Sequence, residues 1–323
     1  MSLSTNHASK QALVIPFLTR AGAVERDLWI AALTPLMQPH VVKPLADLTP
    51  QERRVARVAI VANPDPAEVA ELTNLEWIQS LWAGVERLVV SLPTEVGIAR
   101  LVDPDLARTM AEAVLAWTLY LHRDMPAYRR QQTKGLWNQR DYRPARDIGV
   151  GVLGLGALGR EATAILSRHG YRTMGWARSA RDIPGVETFH GDVGLNAMLA
   201  QTDIAVVLLP LTDQTRGLLN KTRLGRMRPQ AEVINFGRGS VIPVDDLIET
   251  LDEGHISHAV LDVFEREPLP SDDPLWTRSD ITILPHISAP TGRGSAAAIA
   301  ATAIHDFYRT GSTPDLIDRA RGY

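Results

Sequence analysis

The chain of 323 residues has no cysteine. Disulfides, thiolate nucleophiles and cysteine-ligated metals are therefore excluded. It has no apolar run near the ~20 residues of a membrane span, and its polar opening, MSLSTNHASK, lacks the apolar core of a signal peptide. A cytoplasmic location with no membrane partner is expected, and that opening is expected to be disordered or partly a vector-derived remnant. Nor is there an excess of positive charge. The net charge is −3 and no basic stripe dominates, which argues against a nucleic-acid partner. Histidines such as His169, His190, His255, His258 and His286 are scattered, with no spacing like HExxH, so no metal is indicated. Repeats and low-complexity tracts are missing too. What is present is a hydrophobic content of 45%, ample for a sizeable core. The length suggests two domains, on a prior of roughly 100–200 residues each.

The most informative stretch is Asp147–Gly170, DIGVGVLGLGALGREATAILSRHG. Its apolar run, Ile148–Leu153, is short and valine-rich, as a strand buried on both faces should be. Gly154, Gly156 and Gly159 follow in GxGxxG spacing, with Ala157 and Leu158 inside the motif. A helical pattern, Glu161–Arg168, then stops at Gly170. The first glycine permits a tight turn, the second lets a pyrophosphate approach the backbone, and the third lets helix and strand pack closely. The helix N-terminus offers free N–H groups and the positive end of its dipole to phosphates. A bare GxGxxG is weak, but the strand–turn–helix context favours dinucleotide binding over a merely tight βα turn.

Around this stretch the chain alternates β and α, the pattern of parallel sheets. Gln11–Leu18, Val41–Val42 and Val55–Ala62 read as strands, with a helix through Leu28, Ile30, Ala31 and Leu33. This first sheet has no glycine fingerprint. Thr109–His122 is apolar almost all round, as a helix buried between two domains would be. The arginine-rich stretch 123–146, holding Trp137, reads as a helix plus loop. Six strands are expected from residue 148 to 284: Ile148–Leu153, Tyr171–Trp176, Asp203–Leu209, Glu232–Phe236, His258–Val263 and Ile281–Leu284. Between them fall helices at Leu195–Gln201, Lys221–Met227 and Val244–Glu253, the last capped near Asp245/Asp246 and stopped by Gly254. A closing helix, Ser295–Thr310, most simply returns to the first domain. The expected fold is thus α/β: two doubly wound parallel-sheet (Rossmann-like) domains with a cleft between them. Residues 1–111 plus 291–323 form a discontinuous substrate-binding domain, and 112–290 the dinucleotide-binding domain.

Three titratable or charged residues follow predicted strands on the edge where open α/β sheets bind ligands: Arg238, Glu267 and His286. Each alone has a plain reading as a loop residue; their shared edge beside a dinucleotide motif shifts the balance. The set GLGALG, LLPLTDQTRGLLN, INFGRGSVIPVDDLI, LDVFEREPLP and LPHISAPT resembles the D-isomer-specific 2-hydroxyacid dehydrogenase family in order and spacing, from about residue 75 to 295. Within it, the sequence is most similar to the NADPH-dependent glyoxylate/hydroxypyruvate reductase branch.

The resemblance implies a catalytic trio. His286 would protonate the carbonyl oxygen as hydride reaches C2, Glu267 would favour and orient the protonated ring, and Arg238 would bind the substrate carboxylate or carbonyl oxygen with its planar fork. It also implies that the loop Trp82, Ala83, Gly84 and Val85 holds the substrate carboxylate through backbone N–H groups. Trp82 stands where many relatives have glycine, so it is either an indole in the pocket or a core aromatic. Trp137 is a further candidate for lining the cleft. Cofactor contacts are implied at Leu209, Pro210, Thr215 (hydroxyl to phosphate), Phe236, Arg238 and Asp262 (to the nicotinamide amide), with Met110 facing the ring. The residues themselves speak to cofactor type. Ala177 takes the position usually acidic in NAD-type folds, and Arg178 and Ser179 follow, with Arg181 close by. An arginine and a hydroxyl can bind a 2′-phosphate, so NADP(H) is expected over NAD(H). A homodimer is expected, with the Thr109–His122 helix contributing. The expected activity is NADPH-dependent reduction of a small 2-keto acid, glyoxylate or hydroxypyruvate, to the D-2-hydroxy acid. A bulkier 2-keto acid, or a dinucleotide-sensing corepressor-like protein, are the alternatives. Formate chemistry is disfavoured, since formate enzymes of this family carry glutamine in place of Glu267.

Overall fold

The structure, a computed structural model, describes residues 12–322. The polar opening and Gln11, expected to begin the first strand, lie outside the described residues. The chain divides into two compact units, one running to Asp103 and resuming at Thr291, the other spanning Pro104–Pro290. No helix among the described residues is long and apolar enough to cross a membrane.

In the first unit the order is β1 (Val14–Thr19), α1 (Ala23–Leu33), β2 (Val41–Pro44), α2 (Pro50–Val55), β3 (Val58–Ala62), α3 (Pro66–Ala70), β4 (Trp77–Ser80), α4 (Glu86–Ser91) and β5 (Gly97–Ala99). The second unit continues with α5 (Pro104–His122), α6 (Met125–Thr133), β6 (Gly149–Leu153), α7 (Ala157–Arg168), β7 (Arg172–Ala177), β8 (Glu187–His190), α8 (Gly191–Leu199), β9 (Ile204–Val207), α9 (Lys221–Leu224), β10 (Ala231–Asn235), α10 (Val244–Asp252), β11 (Ile256–Leu261) and β12 (Ile281–Ile283). α11 (Arg293–Thr310) then belongs to the first unit.

The first unit is a five-stranded sheet in the order β2-β1-β3-β4-β5, parallel throughout. Residues 58–62 are buried on both faces, as VAIVA between two helical layers requires. One face packs Trp29, Leu33, Trp77 and Phe307 with the small residues Ala296, Ala297, Ala300 and Ala301 of α11; the other packs Ile78, Val85 and Leu88. Alanines on that helix let it lie close to α1.

The second unit is a seven-stranded parallel sheet, β12-β11-β10-β9-β6-β7-β8. The strand order reverses beside β6, the switch point at which such sheets bind dinucleotides. Six strands were expected here; the seventh, β8, is a half-exposed edge strand, ETFH, with no core face to give it an alternating pattern. The expected boundary at 111/112 falls instead between Asp103 and Pro104, because α5 starts five residues earlier than Thr109 and packs along α7 and β10. Met110 is buried in that packing beside Phe236 and Val260. α10 begins after Pro243, with no side-chain cap. Asp246 instead accepts the Lys221 amide at 3.0 Å, tying α9 to α10. Gly254, at φ +70°, ends the helix as expected.

Candidate active site

The glycine turn shows why each glycine is there. Gly154 has φ +107°, and a Cβ there would meet Leu208 O at 2.8 Å. At Gly159 a Cβ would fall 1.7 Å from Gly154 O, so helix and turn touch backbone to backbone. Gly156 differs. A Cβ there would meet nothing within 4 Å, and no side chain caps α7 at that residue. The protein's own packing gives Gly156 no reason to be glycine. A pyrophosphate lying on the uncapped amides of Ala157, Leu158 and Gly159 does. The residues present therefore fit a dinucleotide.

Further close backbone approaches thread the same C-terminal edge of the sheet. Leu209 lies against Gly154, and a Cβ on Gly237 would meet Leu209 O at 2.6 Å. A Cβ on Gly239 would meet the Phe264 carbonyl carbon at 2.2 Å. The loops after β9, β10 and β11 are thereby packed side by side. Phe236 is buried and Pro210 half-buried in this row. Asn235 holds the Arg238 loop: its Nδ2 donates to Arg238 O at 3.1 Å, and its Oδ1 accepts the Gly237 amide at 3.2 Å. Arg238 Nη1 donates to Gly237 O at 2.7 Å.

The loops after β11 and β12 meet through side chains. Glu267 Oε2 lies 2.7 Å from His286 Nδ1, and Oε1 accepts the Phe264 amide at 2.9 Å. The carboxylate is thus fixed by its own loop before it fixes the imidazole. His286 adopts φ +55°, a left-handed conformation uncommon outside glycine. Asp262, 2% exposed, stabilises it: Oδ1 accepts the Ile287 amide at 2.7 Å and Oδ2 the Ser288 amide at 2.9 Å. Asp262 was expected to face a nicotinamide amide. A carboxylate has about four acceptor sites, so holding two amides leaves room for that contact. Backbone strain of this kind clusters where a side chain must be aimed. With Nδ1 engaged, Nε2 is the nitrogen that the exposed ring has left for other partners.

Arg178 and Ser179 follow directly on β7, and Arg178 Nη1 donates to Gln214 on the loop after β9. Thr215 departs from expectation. Its hydroxyl is buried, donates to Pro210 O at 2.7 Å and accepts the Thr212 amide at 2.8 Å. It pins the turn rather than presenting a hydroxyl to a phosphate.

In the first unit, Ser80 shapes the loop after β4. Its Oγ accepts the Trp82 amide at 3.0 Å and donates to Trp82 O at 3.1 Å. Trp82 has no positive φ, so a glycine is not needed to turn the chain there. Its half-buried ring packs edge-on to Trp29 at the margin of that unit's core, centroids 5.8 Å apart. Val85 is buried, and Ala83 and Gly84 are half-buried. Trp137 is 96% exposed. Among the described residues, no group of three or more histidines and carboxylates is placed to hold a metal. Ser80, Asn235, Gln214 and Gly239 are the supporting residues that sequence reasoning missed. Only Gly239, in GRG, carried a visible signal.

A switch-point glycine turn beside an imidazole–carboxylate pair defines a nicotinamide-dependent oxidoreductase of the α/β class. Residues 115–288 match the family described as D-isomer specific 2-hydroxyacid dehydrogenase, NAD binding domain. Glyoxylate/hydroxypyruvate reductase A of Photorhabdus laumondii is 35% identical over 247 residues, 74% of this chain and 79% of that protein. Among solved structures, a D-isomer specific 2-hydroxyacid dehydrogenase from Xanthobacter autotrophicus, in complex with NADPH and MES, superimposes with a TM-score of 0.89. It is 36% identical, over 97% of this chain and 100% of that one. The NADPH-dependent glyoxylate/hydroxypyruvate reductase of Sinorhizobium meliloti, with NADP and sulfate, gives 0.87 at 31% identity, over 96% and 100% of the chains. This chain belongs to the D-isomer-specific 2-hydroxyacid dehydrogenase family. It is an enzyme with an NAD(P)-binding domain, acting as a 2-hydroxyacid dehydrogenase.

Proposed function

We propose that the enzyme reduces a small 2-keto acid, glyoxylate or hydroxypyruvate, to the D-2-hydroxy acid, using NADPH in preference to NADH. The observation that carries this reading is the 2.7 Å pair of Glu267 Oε2 and His286 Nδ1, built on loops that share an edge with the glycine turn. When bound, the nicotinamide supplies the hydride. The chain's own residues do the rest. Glu267 keeps Nδ1 protonated, so the proton that leaves the ring goes from Nε2 to the developing alkoxide. Positioned proton transfer of this kind contributes typically ~10²–10⁴-fold. Arg238 meets negative charge with a planar fork that lysine does not imitate. The family resemblance assigns the substrate's carboxylate to backbone N–H groups of loop 82–85.

NADPH preference rests on Ala177-Arg178-Ser179, which puts a guanidinium and a hydroxyl where an NAD-type site has a carboxylate. Support comes also from the relatives named for glyoxylate and hydroxypyruvate reduction and from the NADP and NADPH in the two structural neighbours. A homodimer is part of this reading, with the Thr109–His122 helix, on which Leu119 stands exposed, contributing. The test is a steady-state panel of glyoxylate, hydroxypyruvate, pyruvate and phenylpyruvate, each with NADPH and NADH, on the wild type and Arg178→Ala. We expect the two small acids to lead with NADPH, and Arg178→Ala to raise the NADPH KM roughly tenfold or more while leaving NADH unmoved. Phenylpyruvate leading, or NADH equalling NADPH in the wild type, overturns the corresponding half.

A further inference from the structure

The pairing of β4 with β5 runs Trp77↔Gly97, Ile78↔Ile98 and Gln79↔Ala99. One step further, Arg100 comes level with Ser80, the residue whose hydroxyl folds the Trp82 loop. The next residue, Leu101, donates its amide to Trp82 O at 3.0 Å, so the backbone carrying Arg100 is fastened to that loop. The guanidinium itself is poorly provided for. It is half-buried, and desolvation lowers its pKa below the ordinary arginine value. Its hydrogen bonding is one long contact, Nη1 to Leu101 O at 3.4 Å, and no carboxylate among the described residues pairs with it.

Other half-buried arginines of this chain are treated differently. Arg278 pairs with Asp252 and Asp280. Arg319, which has no carboxylate in this region, gives its Nη1 and Nη2 to Val89 O, Leu92 O, Pro93 O and Val96 O at 2.7–3.0 Å. Taking a cation from water is costly unless an anion or several acceptors replace its hydration. Arg100 has neither. On the loop beside it, Trp82 Nε1 is a buried donor that also lacks a partner. Arg100 thus keeps open donor positions on a stretch of backbone fastened to a loop that itself carries an unpaired indole N–H.

We infer that Arg100 is the anchor for the substrate's carboxylate, its fork taking both oxygens beside the Trp82–Val85 loop. This rests on the 2-keto acid reading above and sharpens it.

The test uses the NADPH-loaded enzyme and titrates oxamate, a carboxylate analogue of a 2-keto acid, and its neutral counterpart oxamide. The proteins are wild type, Arg100→Met and Arg100→Lys. Expected is a loss of oxamate affinity of roughly tenfold or more in Arg100→Met, a smaller loss in Arg100→Lys, and unchanged NADPH affinity. Oxamide binding should not respond. The KM for glyoxylate should rise with the oxamate Kd while kcat is largely kept, and free guanidinium should restore part of the loss. Melting curves run alongside; should Arg100→Met melt early, Arg100→Lys carries the decision. Wild-type oxamate affinity in the variants overturns the inference. So does an equal loss for oxamide, which would make Arg100 only a support of the loop. A wild type that binds oxamate through Arg100 yet reduces no 2-keto acid overturns the proposed reaction instead.

Discussion

In each unit the first strand, β1 or β6, runs through a turn into a helix, yet the two turns are built differently. After β1 the chain passes Thr19, whose hydroxyl accepts the Ala21 amide, and enters α1 at Gly22, where a Cβ would meet nothing within 4 Å. After β6 it passes Gly154 at φ +107° and enters α7 so closely that Gly159 and Gly154 O leave no space for a side chain. The first turn merely joins two elements. Both helices start without a side-chain cap, at Gly22 and Gly156, but only the second turn presses backbone against backbone. The edges they begin diverge in the same way. Along the second sheet, glycines bring three loops together and carry an imidazole, a carboxylate and a guanidinium. Along the first, the edge offers loop amides and Arg100. On the proposed reading one unit moves a proton and the other holds an anion.

The largest effect should come from removing the proton donor. His286→Ala is expected to lower kcat by about 10²–10⁴-fold, with Glu267→Gln intermediate because the amide oxygen still orients the ring. NADPH affinity should persist in both, read by fluorescence titration. A His286→Ala enzyme that reduces glyoxylate at the wild-type rate would remove the distinction drawn between the two edges.

A pair of substitutions inside the glycine turn separates packing from binding. Gly159→Ala forces a methyl into Gly154 O, and such overpacking costs about 3 kcal/mol, enough to lower Tm by several degrees. Gly156→Ala enters open space, so Tm should hold while the KM for NADPH rises about tenfold as the methyl occupies the pyrophosphate's approach. Equal losses of Tm in both variants would mean that Gly156 serves the fold alone.

Much of this was legible before any coordinates. Valine-rich strands between two helical layers, the turn spacing and the residues following β10, β11 and β12 all have local signatures, because a buried parallel strand and a compressed turn restrict the residues that fit. Edges and fastenings were not. β8 is half-exposed, and β5, GIA, is too short to show a period. The start of α5 was signalled by Asp103-Pro104, a proline at a first helical position, but the apolar pattern beginning near Thr109 drew the boundary too late. Asn235, Ser80 and Arg100 matter through partners that only the folded chain brings near. Thr215 shows the converse: a hydroxyl in the right motif is already used by its own turn.

The smallest effect sharpens the comparison from the opposite end of the second sheet. Glu232, near the start of β10, is in register with His258 on β11, and Tyr120 of α5 stacks obliquely on the histidine at 6.5 Å. Burial, with Asp124 adding to it, pushes the Glu232 carboxyl up to about 8. Burial also pulls His258 down to about 4; its Nε2 meets Thr282 Oγ1 at 2.9 Å while Nδ1 is buried without a partner. Both groups are thus held neutral. For the glutamate, folded above its unfolded value of 4.5, the stability contribution is complete below pH 4.5 and is lost as pH rises through 8. For the histidine, folded below its unfolded 6.5, the contribution is complete above pH 6.5 and is lost as pH falls through 4. Their slopes oppose each other between 4.5 and 6.5, so only from 6.5 to 8 does Glu232 act alone. Glu232→Gln should therefore flatten the fall of Tm over that window and melt a few degrees above the wild type at pH 8, with little difference at pH 4.5. Its kcat/KM should not change, since the titrating groups at this end of the strands serve stability and those at the other end serve the reaction. A change in kcat/KM without one in Tm would reverse that division.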